Sequence, residues 1–145
     1  MRRALSTALG YVLTLSITVL LVSGLFIAGG NFVESQREQV IRTELDIVGE
    51  QVATHVHAAD RLNQSGMGET TVRIERRFPR TVVGSDYQIY LEEDEPQLRL
   101  ESSRPQVEVT VPLTNTTALA DSSAQGGEII VRYDDDRGAV VIDSA

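Results

Sequence analysis

Residues 4–33 carry no charged side chain, and this run constrains the chain more than any other feature. It reads ALSTALGYVLTLSITVLLVSGLFIAGGNFV. A helix rises about 1.5 Å per residue, so roughly 20 apolar residues cross a hydrocarbon core of about 30 Å. Residues 9–28 alone meet that length. Thr14, Ser16, Thr18 and Ser23 are compatible with lipid, because a helical hydroxyl can return to the carbonyl four residues back. A chain of 145 residues has too little additional core to cover such a helix on every side, so the run reads as a membrane span. A secretory signal peptide has a shorter apolar region, of about 7–15 residues. Ser23-Gly24 and Ala28-Gly29-Gly30 nonetheless have the small residues of a cleavage site, and removal there would leave a free domain.

Charge divides the chain at the same place. Arg2 and Arg3 are the only charges before Glu34, and all 21 acidic residues follow. The basic residues number 13, all arginine, so residues 34–145 carry 11 of them and a formal −10, within a whole-chain charge of −8. Basic residues before a span favour a cytoplasmic N-terminus, which places the acidic part outside. The acid excess argues against nucleic acid as a partner, since a phosphate backbone needs a basic surface. Absence of cysteine excludes a disulfide framework, a thiolate nucleophile and Cys-ligated metal. Excess carboxylate with no lysine resembles the composition of proteins from extreme halophiles, where charge is screened within a few ångströms.

Beyond Asn31 the helical period continues in amphipathic form. Ile41, Leu45, Val48, Val52, Val56 and Ala59 form one stripe, with Glu38 and Arg42 as an i,i+4 pair on the outer face. One long helix is expected from Ser6 to Leu62, with Gly29-Gly30 as the place for a bend. Asn63-Gln64-Ser65-Gly66-Met67-Gly68 supplies the stop.

From Thr70 the period becomes two. Val72/Ile74, Ile89/Leu91, Leu98/Leu100, Val107/Val109/Val111, Ile129/Val131/Tyr133 and Val140/Ile142 alternate with polar residues. Leu91-Glu92-Glu93-Asp94-Glu95-Pro96-Gln97 and Tyr133-Asp134-Asp135-Asp136-Arg137-Gly138 read as hairpin turns. Residues 114–127, rich in Thr, Ser, Ala and Gly, read as a mobile loop. The expected fold class is α+β: a long N-terminal helix, transmembrane then amphipathic, packed on one C-terminal antiparallel sheet.

Candidate sites are few. The acidic turns at Glu92–Glu95 and Asp134–Asp136 lack EF-hand spacing and read as solvated. His55 and His57 are two apart, on different helix faces, and make a poor metal pair. No nucleophile elbow and no phosphate-binding glycine loop is present, so no catalytic residue, cofactor or metal is expected. Asn63-Gln64-Ser65 and Asn115-Thr116-Thr117 fit the N-glycosylation pattern, and both are expected in exposed loops.

The residues Arg3-Ala4-Leu5-Ser6-Thr7-Ala8-Leu9-Gly10-Tyr11-Val12-Leu13, with Ile17-Thr18-Val19-Leu20 further on, resemble the class III signal of archaeal type IV pilins, notably haloarchaeal ones. Ser6, Gly10 and Leu13 match that pattern. The resemblance implies cleavage by a prepilin peptidase after Ala4, with Arg3, Ala4, Leu5, Ser6 and Gly10 serving processing. It implies a membrane and assembly helix in which Leu9, Leu13, Ile17, Leu20 and Gly24 take part, and the small residues allow close helix approach. Thr7 stands where the family usually has proline, which points to a minor pilin or pilin-like accessory subunit. The implied division is a leader at 1–4, an assembly helix at 5–33, its amphipathic extension at 34–63 and an outer β head at 64–145. The implied partners are membrane lipid, other pilin-like subunits and the peptidase, at the cell membrane or in a surface filament. The other reading is a single-pass anchor carrying an extracellular binding domain without filaments.

Overall fold

The computed structural model describes residues 2–65 and 72–145. Gly66, Met67 and Gly68 of the expected helix stop, and the strand start expected at Thr70, lie outside the described residues. The fold is α+β, with one helix, α1 (Arg2–Gln64), followed by antiparallel strands. The helix is four residues longer at its start and two at its end than its periodicity predicts, and helical bonding continues through Gly29 and Gly30. The chain forms two compact units, Met1–Arg37 and Glu38–Ala145.

The second unit holds the rest of α1 and eight strands. They are β1 (Arg73–Arg77), β2 (Thr81–Val82), β3 (Ser85–Glu92), β4 (Gln97–Ser103), β5 (Gln106–Pro112), β6 (Ser122–Gln125), β7 (Glu128–Asp134) and β8 (Ala139–Ser144). All six strand segments expected from alternation are present, and both acidic turns close hairpins, β3–β4 and β7–β8. The strands divide between two sheets, which corrects the expectation of one. The first has the order β1-β7-β8; the second has β2-β3-β4-β5, with β6 pairing the same strand, β3, that β2 pairs.

Residues 118–125 explain the division, and they are not the free loop that their composition predicts. Leu119 bridges Val140, with the Val140 N–H donating to the Ala118 carbonyl and the Ala120 N–H to the Val140 carbonyl. A few residues later β6 pairs β3, with Ala124 opposite Ile89. One short segment thus leaves one sheet and joins the other, as strands at sandwich corners do. Serine hydroxyls bond the seam where backbone partners run out. Ser122 Oγ accepts the Ile142 N–H at 3.0 Å, and Ser144 Oγ accepts the Gln125 N–H at 2.8 Å.

The core lies between the sheets and the helix. Ile41, Leu45, Val52, Val56 and Ala59 are fully buried, as their helical stripe predicts. They meet Ile89, Leu91, Leu98, Leu100, Val140 and Ile142 in one apolar cluster. Gly49 sits in this stripe because of distance: a Cβ there would stand 2.7 Å from Val111 Cγ2 and 2.9 Å from Leu100 Cδ1. The missing side chain sets how closely the helix lies on β4 and β5. Arg42 does not pair with Glu38; its Nη1–H donates to the Glu108 carbonyl on β5 at 3.1 Å. On the solvent face of the same sheet, Arg99 lies over the Tyr90 ring, 4.4 Å from its centroid, and pairs with Glu92 at 2.7 Å.

Candidate functional site

The site best supported by the chain's surface is the first unit, where the helix presents apolar side chains all round. Leu9 is 73% exposed and Phe26 78%, whereas Ile41 in the second unit has no exposed surface. A helix that is apolar on every side is a membrane span or the buried centre of a large assembly. The helix is long and apolar enough to cross a membrane, with a mean hydropathy of 2.3 over its most apolar window. Its polar atoms are internally satisfied at three of the four expected positions. The hydroxyls of Thr14, Ser16 and Thr18 donate to the carbonyls of Gly10, Val12 and Thr14 at 2.8–2.9 Å.

The expected processing residues Arg3, Ala4, Leu5, Ser6 and Gly10 all lie within the helix. The Ser6 and Thr7 hydroxyls both donate to the Arg3 carbonyl at 2.9 Å. Leu9, Leu13, Ile17, Leu20 and Gly24 recur at steps of four and three, so the helix gathers them into one stripe. A Cβ placed at Gly10 or Gly24 would meet nothing within 4 Å, in contrast to Gly49. Packing within the chain therefore explains Gly49 and leaves Gly10 and Gly24 free for contacts with lipid or another helix.

Polar groups converge at the C-terminal end of the helix. Asp60 is buried, with 6% of its surface exposed, and its carboxylate accepts the Thr117 N–H at 2.7 Å and the Thr116 N–H at 3.1 Å. Burial pushes the carboxyl pKa up, but hydrogen bonds from the Thr117 hydroxyl, both N–H groups and Gln64 outweigh it and bring the pKa down to about 2. The two glycosylation motifs meet at this cluster. Asn63 is half-buried in the last turn of α1, not in a loop, and its Nδ2–H donates to Thr117 Oγ1 at 3.3 Å. Asn115, half-buried between β5 and β6, donates through Nδ2 to the Thr117 carbonyl. Periodicity gives no signal for Asp60: it follows Ala59 at the edge of the apolar stripe, and its partners lie 56 and 57 residues away.

His55 and His57 are both half-buried, and the His55 ring packs edge-on against Phe78 at 6.2 Å. Burial, with Arg76 nearby, keeps the His55 pKa below its ordinary value. An open groove of about 690 Å³ runs over Gly84, Ser85 and Asp86 toward Ser102 and Ser103. Its buried hydroxyls already hold backbone: Ser85 Oγ accepts the Arg104 N–H at 3.0 Å, and Ser102 Oγ donates to the Pro105 carbonyl at 2.6 Å.

A match to one family model covers residues 1–144, and so spans the apolar helix and the β unit alike. The chain belongs to this family of unknown function, DUF7266. No curated protein and no solved structure matches it.

Proposed function

We propose that the chain is a membrane-anchored, pilin-like subunit, a minor pilin or accessory subunit of a surface filament. The observation that carries this reading is a helix apolar on every side over residues 5–33, whose continuation from Glu38 forms one wall of a β head. The resemblance of residues 3–20 to a class III signal supports the same reading. Cleavage after Ala4 leaves such a helix whole, so it serves first as an anchor and then as the packing element of a filament. Arg2 and Arg3 hold the N-terminus in the cytoplasm and the acidic head outside. The role is structural, with recognition by the head, and not catalytic.

Peptide mass spectrometry of the mature N-terminus tests this. Leu5 as the first residue is the expected result, and an intact Arg2-Arg3 end overturns processing as a pilin. The second reading, a single-pass anchor whose head binds a partner without filaments, is favoured by Thr7. Where the pilin pattern has proline, Thr7 retains a backbone N–H and has no ring to clash with the Arg3 carbonyl, so the Ala4-Leu5 bond lies inside regular helix.

A further inference from the structure

The uncharged run is longer than a membrane needs. Its 30 residues span about 45 Å as helix, against about 30 Å of hydrocarbon, so roughly ten residues lie elsewhere or the helix tilts. The two ends of the run differ in chemistry. Arg3, Ser6, Thr7 and Gly10 make up half of residues 3–10, while residues 12–28 hold ten of the run's thirteen Leu, Val and Ile side chains. Between the two lies Tyr11, 71% exposed, a ring with a polar tip of the kind enriched where hydrocarbon meets headgroups. Twenty residues beyond Tyr11 comes Asn31, the one side-chain amide within the run, at the rise of about 30 Å that a hydrocarbon core requires.

We propose that Tyr11 marks the cytoplasmic face of the hydrocarbon and that residues 3–10 form a lipid-headgroup contact segment, not part of the span. Charge complementarity identifies the occupant. In a chain of net charge −8, the two charges at this end are Arg2 and Arg3, and they suit the anionic headgroups of a cytoplasmic leaflet. The Ser6 and Thr7 hydroxyls both donate to the Arg3 carbonyl, and each has a free side to meet polar headgroups. In this register the Ala4-Leu5 bond lies about 10 Å to the cytoplasmic side of Tyr11, outside the hydrocarbon and within reach of an enzyme working at the membrane surface. The inference concerns the chain with residues 1–4 in place, and it rests on the membrane reading but not on processing or filament assembly.

The chain has no tryptophan, so a single introduced one reports its own depth. Leu5→Trp, Tyr11→Trp and Leu20→Trp variants of the full chain would be reconstituted in phosphatidylcholine–phosphatidylglycerol vesicles. Lipids brominated near the headgroup or near the chain end then give a shallow-to-deep quenching ratio. The expected ratio is above one at position 11 and below one at position 20, with position 5 open to aqueous iodide. Deep quenching at position 11, with position 5 shielded from iodide, overturns the register and leaves the span standing. No bromolipid quenching at position 20 overturns the membrane reading itself, and this inference with it.

Discussion

Asp60 and Thr117 are 57 residues apart in sequence, yet the Asp60 carboxylate accepts the Thr117 N–H at 2.7 Å. The same carboxylate holds the Thr116 N–H, and Thr117 Oγ1 accepts from Asn63. This clamp ties the last turns of α1 to the segment entering the seam between the sheets. Ala118 and Ala120, directly after the clamped Thr116 and Thr117, exchange backbone bonds with Val140, so the clamp supports the joint between both sheets.

Asp60→Ala leaves the Thr116 and Thr117 N–H groups without their acceptor and is expected to destabilise the head by about 2–4 kcal/mol. The carboxyl pKa is about 2 when folded and 3.8 in its ordinary state, so the unfolded chain binds its proton first as pH falls. The clamp's contribution, about 2 kcal/mol, is therefore fully present above about pH 4 and is lost between pH 4 and 2. Urea unfolding at stepped pH checks this: the stability difference between parent and Asp60→Ala narrows across that window. A difference unchanged down to pH 2 contradicts the clamp.

Gly49→Ala gains helix propensity of up to about 1 kcal/mol but drives a methyl against Leu100 and Val111. Overpacking at such distances costs about 1–3 kcal/mol, so a net loss is expected in thermal unfolding. Gly24→Ala, with open space around its Cβ, is the control and shows no loss.

Val83 and Gly84 form the two-residue turn between β2 and β3 with φ of 50° and 74°. Left-handed backbone suits the glycine but costs a β-branched residue about 1–2 kcal/mol. Val83 is 45% exposed, so little packing compensates. Val83→Asn is expected to raise stability by about 1 kcal/mol, read as a higher melting temperature.

Much of this architecture is legible in the residues themselves. The helix stripe from Ile41 to Ala59 and the alternation in β3, β4 and β5 each follow a single period and are buried where that period places them, whereas β7 and β8 are buried at successive residues, Ile129–Val131 and Ala139–Ile142, which alternation does not predict. What escapes is whatever depends on distant partners. β6 is Ser122-Ser123-Ala124-Gln125, polar and weak in strand propensity, and it is a strand because β3 offers it an edge. Gly49 carries a signal only as a gap in an apolar stripe, whose meaning depends on Leu100 and Val111 lying opposite. Asp60 is one acid among 21, and only its burial distinguishes it. In the candidate site, the apolar run is plain from sequence. The meeting of Asn63 with Thr117 is not, because it requires the helix end and the loop after β5 to converge.

The acidic, lysine-free surface carries its own prediction. Self-repulsion grows as screening is removed, from a Debye length of about 3 Å at 1 M salt to about 30 Å at 0.01 M. The head is expected to lose structure by circular dichroism as salt is lowered over that range. An unchanged spectrum removes the halophilic reading.

The central claim is that residues 5–33 remain on the mature chain and hold the head at the membrane's outer face. Intact cells treated with external protease, followed by alkaline carbonate extraction and mass spectrometry of the pellet, test it directly. The account predicts loss of peptides from the head and a membrane-bound remnant containing the apolar helix. A head untouched by external protease, or a chain beginning near residues 29–31 and released by carbonate, contradicts it.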